Sequence, residues 1–169
     1  MKDSSSTTIR QVRRSKSDAL AKTSSSRDAA QKTKSDILIS IMPLYMNRIV
    51  ERTKDHEFRN YLIPKAVSRM WLYVSSPEQT LKYIAVVSHG KLPGEIENQD
   101  GIGNADFNAG AGVACGAYAY EIKELYELLE PLPLKQMQSR YGVSFPQRYT
   151  YVLQRMIDDI VLEDQKRLF

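Results

Sequence analysis

Lys54, Glu57 and Arg59 stand within six residues of one another in the segment Thr53-Lys-Asp-His-Glu-Phe-Arg59. An ammonium, a carboxylate and a guanidinium at this spacing can bind a polar ligand. On a strand, Glu57 and Arg59 project to the same face because they are two apart. Arg59 then offers a planar fork suited to phosphate or a base edge, and Glu57 an acceptor for an exocyclic amine. The same three residues can equally form a structural ion pair that braces a sheet, with Lys54 solvated beside it. Further along, Tyr73, Ser75 and Ser76 would place a ring and two hydroxyls at a strand end, a combination that suits an unstacked single-stranded base. Gln147 and Arg148 follow Pro146 and either line the same cleft or sit on an exposed turn. Trp71 lies inside an apolar run and is expected in the core. Tyr118 and Tyr120 share a strand face and fit core or contact roles.

Other chemistries find little support. His56 and His89 are the only histidines, and His56 has only Asp55 and Glu57 as neighbours, which adjacent placement on a strand does not focus on one point. No metal site and no cofactor are expected. Cys115 is the single cysteine, so an intramolecular disulfide and a cysteine-based zinc site are excluded. The stretch Gly101-Ile-Gly-Asn-Ala-Asp-Phe-Asn-Ala-Gly110 lacks the GK[ST] ending of a phosphate loop.

The elements that must hold these residues can be read from apolar spacing. Ile37, Leu38, Ile39 and Ile41 spell a buried strand, closed by Pro43, which also suits a first helical turn. Leu44, Tyr45, Ile49 and Val50 then recur at helical spacing. Short strands follow over 56–61, 70–74 and 81–87. Most of the eight glycines fall in 90–116, which reads as a long irregular connection with Phe107 as its only aromatic anchor. A half-buried strand starts at Ala117 and extends to about Leu125. Pro131 and Pro133 delimit a turn, Leu134 to Arg140 forms helical turns closed by Gly142, and Tyr149 to Leu153 forms a last strand. Met156, Ile157, Ile160, Val161 and Leu168 share one helical face, giving an amphipathic C-terminal helix over 154–169, packed on the domain. The sum is an α+β domain with a small, mainly antiparallel, barrel-like sheet and short flanking helices.

Charge divides the chain in two. The net charge is +4, but residues 1–35 carry nine Lys or Arg against three Asp, leaving about −2 for the rest. This segment also holds thirteen Ser or Thr and no aromatic residue, so it cannot bury enough apolar surface to order itself. A disordered basic tail over 1–35, a folded domain over 36–153 and the terminal helix are therefore expected. Arg13, Arg14 and Lys16 form a cluster suited to phosphate contacts or to a nuclear address, and a solubilising tail explains it as well. No apolar run approaches the roughly 20 residues of a membrane span, and no secretory leader is visible, so an intracellular protein, cytoplasmic or nuclear, is expected.

Separated motifs give the domain a likeness. The pattern SIxPxYxxxI from Ser40 to Ile49, then Lys54, Glu57 and Arg59, then Tyr73, Ser75, Ser76 and Pro77, resembles the ASCH domains of the PUA-like superfamily. Tyr118-Ala-Tyr-Glu-Ile, Pro133-Leu and Phe145-Pro-Gln-Arg-Tyr-Thr-Tyr-Val resemble its closing strands. The likeness covers about 37–152 and implies a small PUA-like β-barrel related to domains that bind RNA. A bacterial ASCH amidohydrolase that deacetylates acetylcytidine uses a lysine, a threonine three residues later and a distant glutamate. Lys54 matches the lysine, Glu57 stands at the threonine position, and Tyr83-Ile-Ala-Val-Val holds no acid. Arg52 replaces a glycine common in these domains, which implies an altered turn or a strained one.

A nucleic-acid-binding module, more specifically for RNA, is therefore expected to take a base or short single strand into the cleft, assisted by the tail. Two alternatives stand beside it: a hydrolase acting on an acylated modified nucleoside, with an incomplete catalytic set, and a protein-interaction adaptor working through the C-terminal helix.

Overall fold

The computed structural model describes residues 32–110 and 116–169. Arg13, Arg14, Lys16 and Cys115 lie outside the described residues. In chain order the elements are β1 (Lys32–Ile41), α1 (Pro43–Val50), β2 (His56–Arg59), β3 (Arg69–Val74), β4 (Thr80–Val87), α2 (Asn104–Asn108) and β5 (Tyr118–Pro133). There follow α3 (Leu134–Gln136), running into a π-helical turn (Met137–Tyr141), then β6 (Thr150–Leu153), α4 (Gln154–Asp159), a 3-10 turn (Leu162–Asp164) and β7 (Lys166–Arg167). The strands form one sheet in the order β2-β5-β4-β3-β1-β6, with β7 added beside β5. All pairings are antiparallel except that of β1 with β3.

Central strands here are buried on both faces, which is why their sequences read as continuous apolar runs. Ile37, Ile39 and Ile41 of β1 pack with Met70, Leu72 and Val74 of β3 on one face, under Met46 and Ile49 of α1. Leu38, Trp71 and Tyr73 point to the other face, where Met137, Tyr141, Val152 and Met156 cover them. A register shift in β4 between Leu81 and Tyr83 lets Leu81 and Ile84, three apart, share that second face. Trp71 is core, as its apolar context implied. Its indole N–H donates to Asp36 Oδ1 at 2.9 Å.

The sheet is not closed. Its two end strands, β2 and β6, have four residues each, and the gap between them is spanned by side chains. Arg59 donates to the Ser40 carbonyl at 2.9 Å, Tyr61 Oη to the Arg148 carbonyl at 2.9 Å, and Ser40 Oγ to the Pro146 carbonyl at 2.8 Å. Beyond β2 the backbone turns to side-chain partners, as where the Ile63 N–H donates to Tyr120 Oη at 2.7 Å. The barrel expected from the sequence is thus an open, curved sheet.

Other boundaries differ from the sequence-based expectations for physical reasons. β1 begins at Lys32, inside the segment assigned to the tail, because Lys32 pairs with Leu153 of β6. β5 runs for 16 residues through Pro131 and Pro133, where a turn was expected. From Leu128 onward it is paired only with β4, so a residue without an N–H is tolerated on the open side. The C-terminal helix stops at Asp159, not Phe169, and Lys166 and Arg167 pair with Glu127 and Tyr126. Backbone bonds between Leu125 and both Leu168 and Phe169 tie the end to the sheet. Met156, Ile157, Ile160 and Leu168 pack on the domain, whereas Val161 is exposed.

Phe107 anchors the long connection as expected, buried with Ile96, Ala119 and Phe58. Gly142 caps the π-helical turn at φ 68°. Arg52, beyond α1, adopts φ 60°, so the turn keeps the left-handed geometry despite the missing glycine. That conformation costs about 1 kcal/mol for a residue with a Cβ. The guanidinium lies 4.7 Å from the Phe169 ring centroid, a contact of about 0.5–1 kcal/mol that offsets much of the strain.

Candidate functional site

The closure of α1 delivers the chain to the site. Thr53 and Lys54 N–H groups both donate to the Arg48 carbonyl, so the orphan acceptor at the helix end is satisfied and Lys54 is aimed inward. Lys54 is only 5 % exposed. Its Nζ donates to the His56 carbonyl, lies 4.2 Å from the Phe58 ring centroid and is 3.8 Å from Glu57 Oε2. Burial pushes its pKa below the usual lysine value; Glu57 opposes that shift and Arg59 adds to it. Glu57, buried and on β2, holds Arg59 through Oε1 at 2.8 Å.

These three residues come together as the sequence implied, with roles divided between the two readings. The Arg59 terminal nitrogen Nη2 is spent on Glu57 and on the Ser40 carbonyl, which makes it a brace between β2 and β1. Lys54 and Glu57 instead line a cavity of about 320 Å³. Tyr45, Arg48, Phe58, Ile102 and Gly103 complete its wall. That volume is at the lower end for small-ligand pockets, and Arg48, Lys54 and Glu57 make three of the seven lining residues charged.

The wall from the long connection is held by a buried polar network. Asn104, fully buried, donates through Nδ2 to Asp55 Oδ1 and to the Asn98 carbonyl, each at 2.8 Å. Ile102 N–H donates to the Thr53 carbonyl at 2.9 Å. Two glycines permit this approach. A Cβ on Gly101 would lie 2.3 Å from Asp55 Oδ1, and one on Gly103, at φ 88°, would lie 2.9 Å from the Phe58 ring. His56 extends the network, accepting or donating through Nδ1 to Asp55 at 2.8 Å while Nε2 lies 3.3 Å from Lys91 Nζ, which pairs with Glu121 at 2.8 Å. Adjacent Asp55 and His56 meet because Asp55 precedes β2 and folds back onto the ring. Burial lowers the His56 pKa against the pull of Asp55. Burial would raise the Asp55 pKa, but hydrogen bonds from His56 and Asn104 outweigh it and lower it. No group of three or more His, Cys, Asp or Glu placed to hold a metal exists among the described residues.

The remaining sequence candidates lie elsewhere. Tyr73 is 2 % exposed, packed in the second core with its ring stacked on Phe145 at 5.7 Å, so it presents no open face to a base. Ser75 is half-buried and Ser76 exposed in the turn after β3, and neither lines the cavity. Gln147 and Arg148 are exposed; the Arg148 guanidinium lies 4.3 Å from the Tyr61 ring, at the gap between β2 and β6 rather than in the cavity. Tyr120 is core, and its hydroxyl donates to the Tyr61 carbonyl at 3.0 Å. The residues that sequence reading missed are Tyr45, Arg48, Phe58, Ile102 and Gly103. Tyr45 and Arg48, three apart on α1, carried a signal: they share a helical face with each other and not with buried Met46.

An open α+β sheet holds a buried lysine and glutamate beneath a helix end and a long connection. The chain has an ASCH-like fold. It is similar to the crystal structure of ASCH from Zymomonas mobilis, with a TM-score of 0.61 and 18 % identity over 79 % of this chain and 98 % of that one. Structures of a Tyr-to-Phe and a Ser-to-Ala variant of the Zymomonas mobilis protein match at TM-scores of 0.58 and 0.53, with 18 % and 17 % identity. They cover 78 % and 77 % of this chain and 99 % of each variant. No family model matches the chain, and no curated protein matches it.

Proposed function

We propose that the protein binds single-stranded RNA by taking one base into the cavity between α1, β2 and the connection at Ile102. The observation that carries this reading is the lining itself: the rings of Tyr45 and Phe58, the cations Arg48 and Lys54, and the carboxylate of Glu57 face one space of about 320 Å³. Aromatic faces stack on any base, and polar groups at the bottom of a pocket read its edge. Arg48, at the end of α1 and half-buried, suits the phosphate that follows the base. Arg13, Arg14 and Lys16 add contacts to the phosphate backbone that do not depend on sequence, so affinity falls as salt rises. Among the described residues, no helix is long and apolar enough to cross a membrane.

Tyr45 is 41 % exposed and carries no core packing, which makes it the clean probe. Replacing it with Ala removes a stacking face worth about 1–3 kcal/mol and is expected to weaken RNA binding roughly tenfold or more, whereas Tyr45→Phe retains affinity. Fluorescence anisotropy with a labelled single-stranded RNA reads both. Undiminished binding by Tyr45→Ala, or no binding of RNA or DNA by the unaltered chain, contradicts the proposal.

A hydrolytic reading is favoured by one observation, the burial that lowers the Lys54 pKa and raises its capacity as a base or nucleophile. It would act on an acylated nucleoside, and mass spectrometry of the incubated nucleoside separates it from simple binding. The β4 positions that would carry a second carboxylate, Tyr83 to Val87, hold no acid, and all but half-buried Val86 are buried.

A further inference from the structure

We infer that the base taken into the cavity is guanine, recognised through its Watson-Crick edge by Glu57 and Lys54; this rests on the base-binding reading above. The two groups present a fixed sequence of hydrogen-bonding partners along the cavity. Glu57 supplies two acceptor oxygens, and Lys54 supplies a donor 3.8 Å from Oε2. That separation is too long for a hydrogen bond between them, so each can turn to a ligand atom. Oε1 already accepts from Arg59 at 2.8 Å, but a carboxylate oxygen carries a second lone pair. Arg59 is itself held by the Ser40 carbonyl at 2.9 Å, so the carboxylate is fixed in orientation before any ligand arrives.

Two adjacent acceptors followed by a donor require two adjacent donors followed by an acceptor. Guanine presents that order, with its exocyclic amine, its ring N1–H and its O6. Adenine and cytosine each offer an amine beside a bare ring nitrogen, and that nitrogen turns a lone pair toward the second carboxylate oxygen. Uracil has one N–H between two carbonyls. With any of these three, one oxygen of a carboxylate that is 8 % exposed loses water without gaining a donor. A site with unpaired buried groups rejects the wrong ligand more strongly than a site that merely lacks a contact. Lys54 cannot withdraw to relieve such a mismatch, since its Nζ is held by the His56 carbonyl above the Phe58 ring.

The test uses the full chain and oligouridine RNAs eight nucleotides long that carry one central guanine, adenine, cytosine or inosine. The base of inosine, hypoxanthine, is guanine without its exocyclic amine, so it isolates one of the two donors. The guanine oligomer is expected to bind about tenfold or more tighter than the adenine and cytosine oligomers, with inosine between them. Glu57→Gln, which turns one acceptor into a donor, is expected to bring the four affinities within about threefold of each other. Equal binding of all four by the unaltered chain overturns the inference and leaves base binding standing, as does a preference for adenine or cytosine. Failure of every oligomer to bind overturns base binding itself. The inosine comparison needs no variant, so it decides the matter even where Glu57→Gln does not fold.

Discussion

Asp36→Ala is expected to lower the unfolding free energy by about 3 kcal/mol. Asp36 is fully buried at the first paired position of β1 with β3. It accepts from Arg69 Nε at 2.7 Å, from Trp71 Nε1 at 2.9 Å and from Ser35 Oγ at 2.6 Å. Removing it strands a buried indole N–H and a guanidinium, and the cost of unpaired buried groups exceeds the net worth of the bonds that paired them. Arg69 is 27 % exposed and can recover water, which keeps the expected loss at the lower end for a broken buried pair. Asp36→Asn retains an acceptor for Trp71 and loses the charge, so a smaller loss is expected. Trp71 is the only tryptophan, and its fluorescence through a urea titration reports the midpoint directly. An unchanged midpoint in the Ala variant would contradict this account of how β1 and β3 are joined.

Lys54→Met is expected to separate stability from binding. Burial lowers the Lys54 pKa below the usual value of 10.5, so the unfolded chain holds more protons at this position than the folded one. The lysine therefore costs stability at neutral pH, and that cost fades as pH rises toward 10.5. Methionine has similar length and no charge, and Glu57 keeps its partner in Arg59. A gain of about 1 kcal/mol at pH 7 is expected, shrinking as pH rises. Several tyrosines, among them Tyr61 and Tyr120, have pKa values raised by burial and lower stability only above about pH 10, and they do so equally in both chains. The difference between variant and parent isolates Lys54. RNA affinity is expected to fall roughly tenfold or more, because a charge-assisted donor has been lost. A variant that is less stable, or that binds as before, would place Lys54 in the brace rather than in the cavity.

Local patterns disclosed much of the fold. The apolar run at Ile37, the core position of Trp71, the anchor at Phe107 and the cap at Gly142 each follow from residue type and immediate neighbours, while the strained turn at Arg52 follows from the resemblance to ASCH domains. The cluster of Lys54, Glu57 and Arg59 was also legible, since all three residues lie within one turn and strand. What local patterns could not show was the far wall. Gly103 and Ile102 are more than forty residues from Phe58, and they line the same cavity because Asn104 reaches back to Asp55 and the Ile102 N–H to the Thr53 carbonyl. Helical spacing groups Tyr45 with the apolar face of α1, but Met46 and Ile49 are the residues that bury, leaving Tyr45 to the cavity. Tyr73 sits in a strand covered on both faces, and alternation alone does not reveal that the second face is covered. The run of β5 through two prolines depends on which neighbour is absent along its open side, a property of the sheet and not of the strand.

The central claim is that a base enters the cavity bounded by Lys54 and Glu57. Backbone amide NMR spectra of the full chain, recorded as a single-stranded RNA is titrated in, test it residue by residue. The account predicts the largest shifts at Tyr45, Arg48, Lys54, Phe58 and Gly103, with little change at Trp71 and Met156 in the second core. Shifts confined to the β2 and β6 gap around Tyr61 and Arg148, or to the far face of the sheet, would contradict it.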